Sequence, residues 1–202
     1  DDIVNIAEYY NQNLSNLFSL ECWGGATFDT SMRFLKEDPW DRLARLNTRA
    51  PNLLKQMLFR GSNAVGYKNY PDNVVKHFIK QSAESGIDVF RVFDSLNLID
   101  NMRVAIDEVR NQNKLCEGTI CYTNDVTDTN EKKYTLKYYL DLVKDLDKAG
   151  TELAPISPEG EGNFFVPWKT GHWMIYPGKV WHRPGVVQSM NDRYIVAADM
   201  EF

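Results

Sequence analysis

Ile87-Asp-Val-Phe-Arg-Val-Phe93 is the stretch on which the fold class turns. It follows Gly86 and is rich in β-branched and aromatic residues, so it reads as a strand. Downstream, Met102, Ala105-Ile106 and Val109 recur at helical spacing between Asn101 and Arg110. Leu115 to Tyr122 is apolar and strand-like again. A helix between two such strands is the connection of a parallel pair, since antiparallel neighbours can turn in a short hairpin.

The same grammar runs outward from this unit. Leu17-Phe-Ser-Leu-Glu-Cys-Trp23 is a short apolar run ending in Gly24-Gly25. A helical pattern follows through Met32, Phe34-Leu35, Trp40, Leu43 and Leu46, and Pro51 breaks it. Leu53 to Phe59 is the next strand. Val74-Val75, Phe78-Ile79 and Ser82-Ala83 mark another amphipathic helix. Tyr134 to Lys148 is the longest helical pattern, with Leu136, Tyr139-Leu140, Val143 and Leu146 facing in and Gly150 at its end. Alternating strands and helices give an α/β fold with a parallel sheet. A doubly wound sheet and a closed barrel both fit this pattern. The absence of G-x-G-x-x-G and of a P-loop weakens nucleotide binding and puts the barrel ahead.

After Gly150 the character changes. Residues 153–162, with Ala154-Pro-Ile-Ser-Pro-Glu-Gly-Glu-Gly162, read as a linker or junction. Residues 163–202 have no helical period. Their short strands, His172–Tyr176 and Tyr194–Ala198, are separated by Pro177-Gly178 and Pro184-Gly185 turns, an all-β tail of different origin.

The 202 residues are 43% hydrophobic and 25% charged, a globular balance that argues against disorder. The net charge of −5 argues against nucleic-acid partners, which need clustered Lys and Arg. No apolar run reaches the ~18 residues of a membrane span. The start, Asp-Asp-Ile-Val, carries no basic region of a signal peptide and reads as a cut inside a longer coding sequence. Cys22, Cys116 and Cys121 sit in apolar runs, as buried thiols of a reducing compartment would.

Polar groups gather where the first three strands end: Glu21 and Asp29, then Arg60, Asn63 and Tyr67, then Arg91 and Asp94. In a barrel, such strand ends face the active site. A guanidinium there suits a carboxylate, which it binds through two parallel hydrogen bonds. Arg60, between an apolar strand and a glycine, is the best candidate, with a salt bridge between neighbouring strand ends as the bland alternative. For Asp94 the bland alternative is a pairing with Arg91.

These positions also carry a family resemblance. Trp23-Gly-Gly-Ala-Thr-Phe-Asp29, Arg33-Phe-Leu-Lys-Glu-Asp-Pro-Trp40, Gln56-Met-Leu-Phe-Arg-Gly61, Asn63-Ala-Val-Gly-Tyr67, Asn69-Tyr-Pro-Asp-Asn-Val-Val75, Asp88-Val-Phe-Arg-Val-Phe-Asp-Ser-Leu-Asn97 and Ile120-Cys-Tyr-Thr123 stand in order and at matching spacing. Residues 1–152 thereby resemble part of the carboxyltransferase domain of biotin-dependent pyruvate carboxylases. The resemblance implies a partial (β/α)8 TIM barrel of about half the units. It implies carboxyl transfer from carboxybiotin to pyruvate, giving oxaloacetate, with biotin and a divalent metal (Mn or Zn) as cofactors. Biotin carrier and biotin carboxylase domains would be partners, in the cytoplasm or, in a eukaryote, the mitochondrial matrix. Arg60 would hold pyruvate, and Asp29 and Tyr67 would belong to the catalytic network around it.

The resemblance also implies features not found here. The family's opening Arg-Asp-x-His-Gln-Ser motif has no match in this sequence, and Ser157 stands in register with a metal-binding Lys. The later His-x-His motif and a proton-shuttling Thr also lack counterparts. The chain is therefore expected to be inactive alone, aggregation-prone and poorly cooperative in folding. Residues 163–202 resemble, more weakly, the last strands of an iron/2-oxoglutarate oxygenase. His182 would be a lone iron ligand and Arg193, eleven residues on, a 2-oxoglutarate-binding residue. An oxygenase fragment or a non-functional chimeric product are the alternative readings.

Overall fold

The computed structural model describes residues 2–14 and 17–151. The linker, the tail, Ser157, His182 and Arg193 lie outside the described residues. Four strands, β1 (Ser19–Gly24), β2 (Leu54–Phe59), β3 (Val89–Val92) and β4 (Leu115–Gly118), form one sheet. All neighbours are parallel and the order is sequential. Helices are α1 (Asp2–Asn13), α2 (Gly25–Thr30), α3 (Pro39–Arg49), α4 (Asp72–Glu84), α5 (Ile99–Asn111) and α6 (Leu136–Ala149). A sequential parallel order is that of adjacent barrel units, whereas a doubly wound sheet reverses at a switch point. Right-handed crossovers in sequential order place the connecting helices on one face of the sheet.

That covered face holds the apolar core. Met57, Phe59, Phe90 and Cys116 point from the strands into Ile79, Met102, Ile106 and Leu146 of the helices, all buried. β1 departs from simple alternation. A register shift between Glu21 and Trp23 turns the indole to the helices, as a bulge re-aims a side chain. Trp23 then meets Phe28, Trp40 and Phe78, with ring centroids 4.8–6.0 Å away, and donates from its ring nitrogen to Pro39 O at 2.9 Å. Gly24 follows at φ +80, and a Cβ there would lie 2.4 Å from Leu58 O, so the strand can leave β2 this closely only without a side chain.

The helices end and begin where local chemistry dictates. The pattern read as one helix from Met32 to Leu46 is interrupted: a π-helical turn at Ser31–Leu35 ends in left-handed Lys36, and Asp38 then caps α3 by accepting from Trp40 N at 2.8 Å. Pro39, lacking an N–H, fits the first turn of α3. Thr135 caps α6, and Gly150 closes it at φ 86. No helix of the described residues is long and apolar enough to cross a membrane.

The three cysteines carry thiols, not disulfides; Cys22 and Cys116 are buried and Cys121 is half-buried. Burial pushes the Cys22 thiol up to about 11, against the smaller opposing pull of Lys55 and Arg42. The thiolate is the reacting form. At pH 8 a thiol reagent is therefore expected to modify Cys121 in the native chain and Cys22 and Cys116 only after denaturant is added. Rapid native labelling of Cys22, read by mass spectrometry, would contradict this burial.

Candidate active site

The face opposite the helices is polar. Alternation sends Glu21 of β1, Gln56 of β2, Arg91 of β3 and Glu117 of β4 to this inner face. Arg91 bridges two carboxylates, Nη1 to Glu21 Oε2 at 2.8 Å and Nε to Glu117 Oε1 at 2.7 Å. Gln56 Nε2 donates to the same two carboxylates at 3.1 Å each, and Ser19 Oγ donates to Gln56 Oε1 at 2.6 Å. One guanidinium and one amide thus tie four strands together. The expected pairing of Asp94 with Arg91 does not occur. Arg91 is committed to the inner face, while Asp94 lies past the strand end and folds back on its own loop. Its carboxylate accepts from Leu96 N, Leu98 N and Asn101 Nδ2 at 2.9–3.1 Å.

Arg60 stands one layer above this network, directly after β2. Its backbone is held by a tight arch: Arg60 N donates to Ala64 O at 2.8 Å and Asn63 N to Arg60 O at 2.8 Å. Ala64 sits at φ 51 and ψ −117, a conformation costly for any residue with a Cβ and found where the surroundings enforce it. The floor of the arch is equally tight. A Cβ on Gly61 would lie 2.8 Å from Asn101 O at the start of α5. The guanidinium donates through Nη1 to Val65 O at 3.1 Å and Gly66 O at 3.4 Å. Its carbon lies 5.3 Å from the centre of the Tyr67 ring, a cation–π contact. Among the described residues, Nε and Nη2 make no hydrogen bond to protein, which leaves one edge of the fork for a ligand.

The structure thus brings Arg60 and Tyr67 together. Tyr67 is 67% exposed, and the Arg60 guanidinium lies over its ring. Asp29, in the last turn of α2, pairs with Arg33 at 3.1 Å instead. It makes no hydrogen bond or ion pair with Arg60 or Tyr67 among the described residues. The sequence reading missed Gln56 and Glu117. Their signal was a polar residue at an inward position of an otherwise apolar strand, in Leu54-Lys-Gln-Met57 and Leu115-Cys-Glu-Gly118.

A divalent metal, implied by the resemblance, does not fit these residues. Among the described residues no three His, Cys, Asp or Glu side chains come together to hold one. The carboxylates of the inner layer are already engaged by Arg91 and Gln56. A pocket of about 210 Å³ opens between α1 and the end of β1, lined by Ile3, Glu21, Trp23, Gly24, Thr27 and Leu58 among others.

No family model matches the chain. Individual proteins do. It is 60% identical over 155 residues to pyruvate carboxylase of Bacillus subtilis and 51% identical over 152 residues to mitochondrial pyruvate carboxylase of Rattus norvegicus. These alignments cover 77% and 75% of this chain but only 14% and 13% of the relatives. Among solved structures it is similar to the carboxyl transferase domain of Rhizobium etli pyruvate carboxylase with pyruvate and biocytin. The TM-score is 0.75 at 59% identity, covering 77% of this chain and 26% of that one. The same domain solved with oxamate and biotin matches equally, at a TM-score of 0.75. Over the matched part of its length, the chain is a homologue of pyruvate carboxylase, within that enzyme's carboxyltransferase domain.

Proposed function

We propose that residues 2–151 are about half of an eight-unit carboxyltransferase barrel, and that Arg60 anchors the carboxylate of pyruvate in it. The observation that carries this is the state of the Arg60 guanidinium. Its Nη1 is spent on two loop carbonyls and its face is covered by Tyr67, so the fork is held still with Nε and Nη2 open. A planar carboxylate matches that edge, and a guanidinium already ordered loses little freedom on binding it. The similar Rhizobium etli domain was solved with pyruvate, which supports the choice of acid.

In this reading the reaction is carboxyl transfer from carboxybiotin to pyruvate, giving oxaloacetate. The biotin would arrive on a carrier domain, charged by a biotin carboxylase domain, both parts of a larger enzyme. Arg60 orients the acid and faces negative charge as the enolate forms. Tyr67 fixes the plane of the guanidinium. Asp29 would join this network only by leaving Arg33, whose side chain is 64% exposed and free to move. The described residues do not supply a metal site, and no step here runs through one.

The test is titration of the 202-residue chain with pyruvate, followed by amide and arginine side-chain NMR shifts. Saturable shifts at Arg60, Val65, Gly66 and Tyr67 are expected. Arg60→Ala should weaken binding by about 10- to 100-fold, the worth of a charge-assisted hydrogen-bonded pair. Equal shifts in Arg60→Ala would place the acid elsewhere and defeat the reading.

A further inference from the structure

The strand ladder continues one residue beyond the ends of the assigned strands. Phe93 N donates to Phe59 O at 3.0 Å, and Thr119 N donates to Val92 O at 2.9 Å. In parallel pairing these bonds set Arg60, Phe93 and Thr119 side by side, continuing the register of Phe59 with Val92 and Val92 with Gly118. Alternation from Gln56, Arg91 and Glu117 puts all three on the inner face. Thr119 is 8% exposed, and its hydroxyl is buried without a hydrogen-bond partner among the described residues. Buried hydroxyls are nearly always bonded, and one that is not needs a reason. Leaving it unbonded is costly, so retaining it on an inner face beside the candidate site wants a compensating use.

Resting on the reading that Arg60 anchors a small 2-oxo acid, we infer that Thr119 is a further ligand-binding residue of this site, its hydroxyl donating to the 2-oxo oxygen. Two strand spacings separate the Arg60 and Thr119 backbones by about 10 Å. The carboxylate then faces a cation and the oxo oxygen a neutral donor, with Phe93 in register between them. This division separates 2-oxo acids from simple carboxylates: an acid without the oxo group keeps the arginine contact and gains nothing from Thr119. A hydroxyl held ready in this way also donates more strongly as negative charge grows on that oxygen.

Thr119→Val keeps the shape and removes the hydroxyl. A purely structural hydroxyl would make this change destabilising, whereas an unbonded one makes it neutral or stabilising. The experiment titrates the 202-residue chain and its Thr119→Val and Arg60→Ala variants with pyruvate and with propionate, and melts each without ligand. The expected result has three parts. Thr119→Val melts at or above the parent temperature, binds pyruvate about three- to tenfold more weakly, and binds propionate unchanged, while Arg60→Ala loses both acids. If Arg60→Ala loses both acids and Thr119→Val binds pyruvate like the parent, the inference fails and the Arg60 reading stands. A clear drop in melting temperature for Thr119→Val also overturns it, because the hydroxyl then has a structural partner. If the parent binds neither acid, the Arg60 reading fails and takes this inference with it.

Discussion

Arg91→Met is expected to destabilise the chain by about 3–5 kcal/mol, the usual cost of removing one partner from a buried ion pair. Arg91 is the sole guanidinium between Glu21 and Glu117 in the inner layer of the described sheet, and the Glu117 side chain is only 5% exposed. Without it, the two carboxylates lose the cation that bridges them across strands that must stay in register. Domains have only about 5–15 kcal/mol to lose, so the native state should be largely depleted under mild conditions. The loss should be recoverable by removing the charges it exposes. Adding Glu21→Gln and Glu117→Gln to Arg91→Met leaves a neutral layer, and such replacements are often nearly neutral. Urea unfolding followed by tryptophan fluorescence would read both, since Trp23 is buried in the core. An Arg91→Met chain within about 1 kcal/mol of the parent would mean that water replaces the guanidinium and the layer is not a fastener.

The fold was legible in sequence where burial is one-sided and periodic. Ile87–Phe93 and the stripe through Met102, Ile106 and Val109 gave β3 and α5 because each buries a single face. It was less legible where tertiary contacts override the pattern. The strand read to Tyr122 runs only to Gly118, and beyond it the Asn97 side chain takes up the backbone of Cys121: Nδ2 donates to Cys121 O at 2.8 Å and Oδ1 accepts from Cys121 N at 2.7 Å. α1 went unread, since of its apolar residues only Val4 and Ala7 are buried, and a half-exposed helix leaves a faint stripe. The split between α2 and α3 does have a local signal, the Asp38-Pro39 start, which the longer apolar pattern masked.

The site divides along the same line. Arg60 and Tyr67 were legible because one short arch joins them, so their meeting is a local property of a segment with six residues between them. Asp29 joined this cluster only as the resemblance implied, and here its carboxylate pairs with Arg33, a helical neighbour four residues on. Gln56 and Glu117 escaped notice because their partnership spans 61 residues. Inward polar residues of parallel strands find one another only through the register, and register is what the sequence pattern leaves open.

The largest functional effect expected is the absence of turnover from the isolated chain. Transfer to or from pyruvate passes through an enolate whose charge must be met in a dry, preorganised site, and losing one such stabiliser costs about 10²–10³ in rate. Among the described residues, the strand-end layer presents one guanidinium, Arg60, and no group of three metal-donor side chains. Binding and turnover therefore separate: the carboxylate contact needs only Arg60, while the chemical step needs several groups acting at once. The assay supplies free biotin and oxaloacetate with Mn(II) or Zn(II) and follows pyruvate formation against the metal in buffer alone. The expected rate equals that background for the parent and for Arg60→Ala alike, even where NMR shows that the parent binds pyruvate. A rate above background that vanishes in Arg60→Ala would show that the remaining stabilisers are assembled within the 202 residues, and the half-barrel would then have to be treated as a complete catalyst.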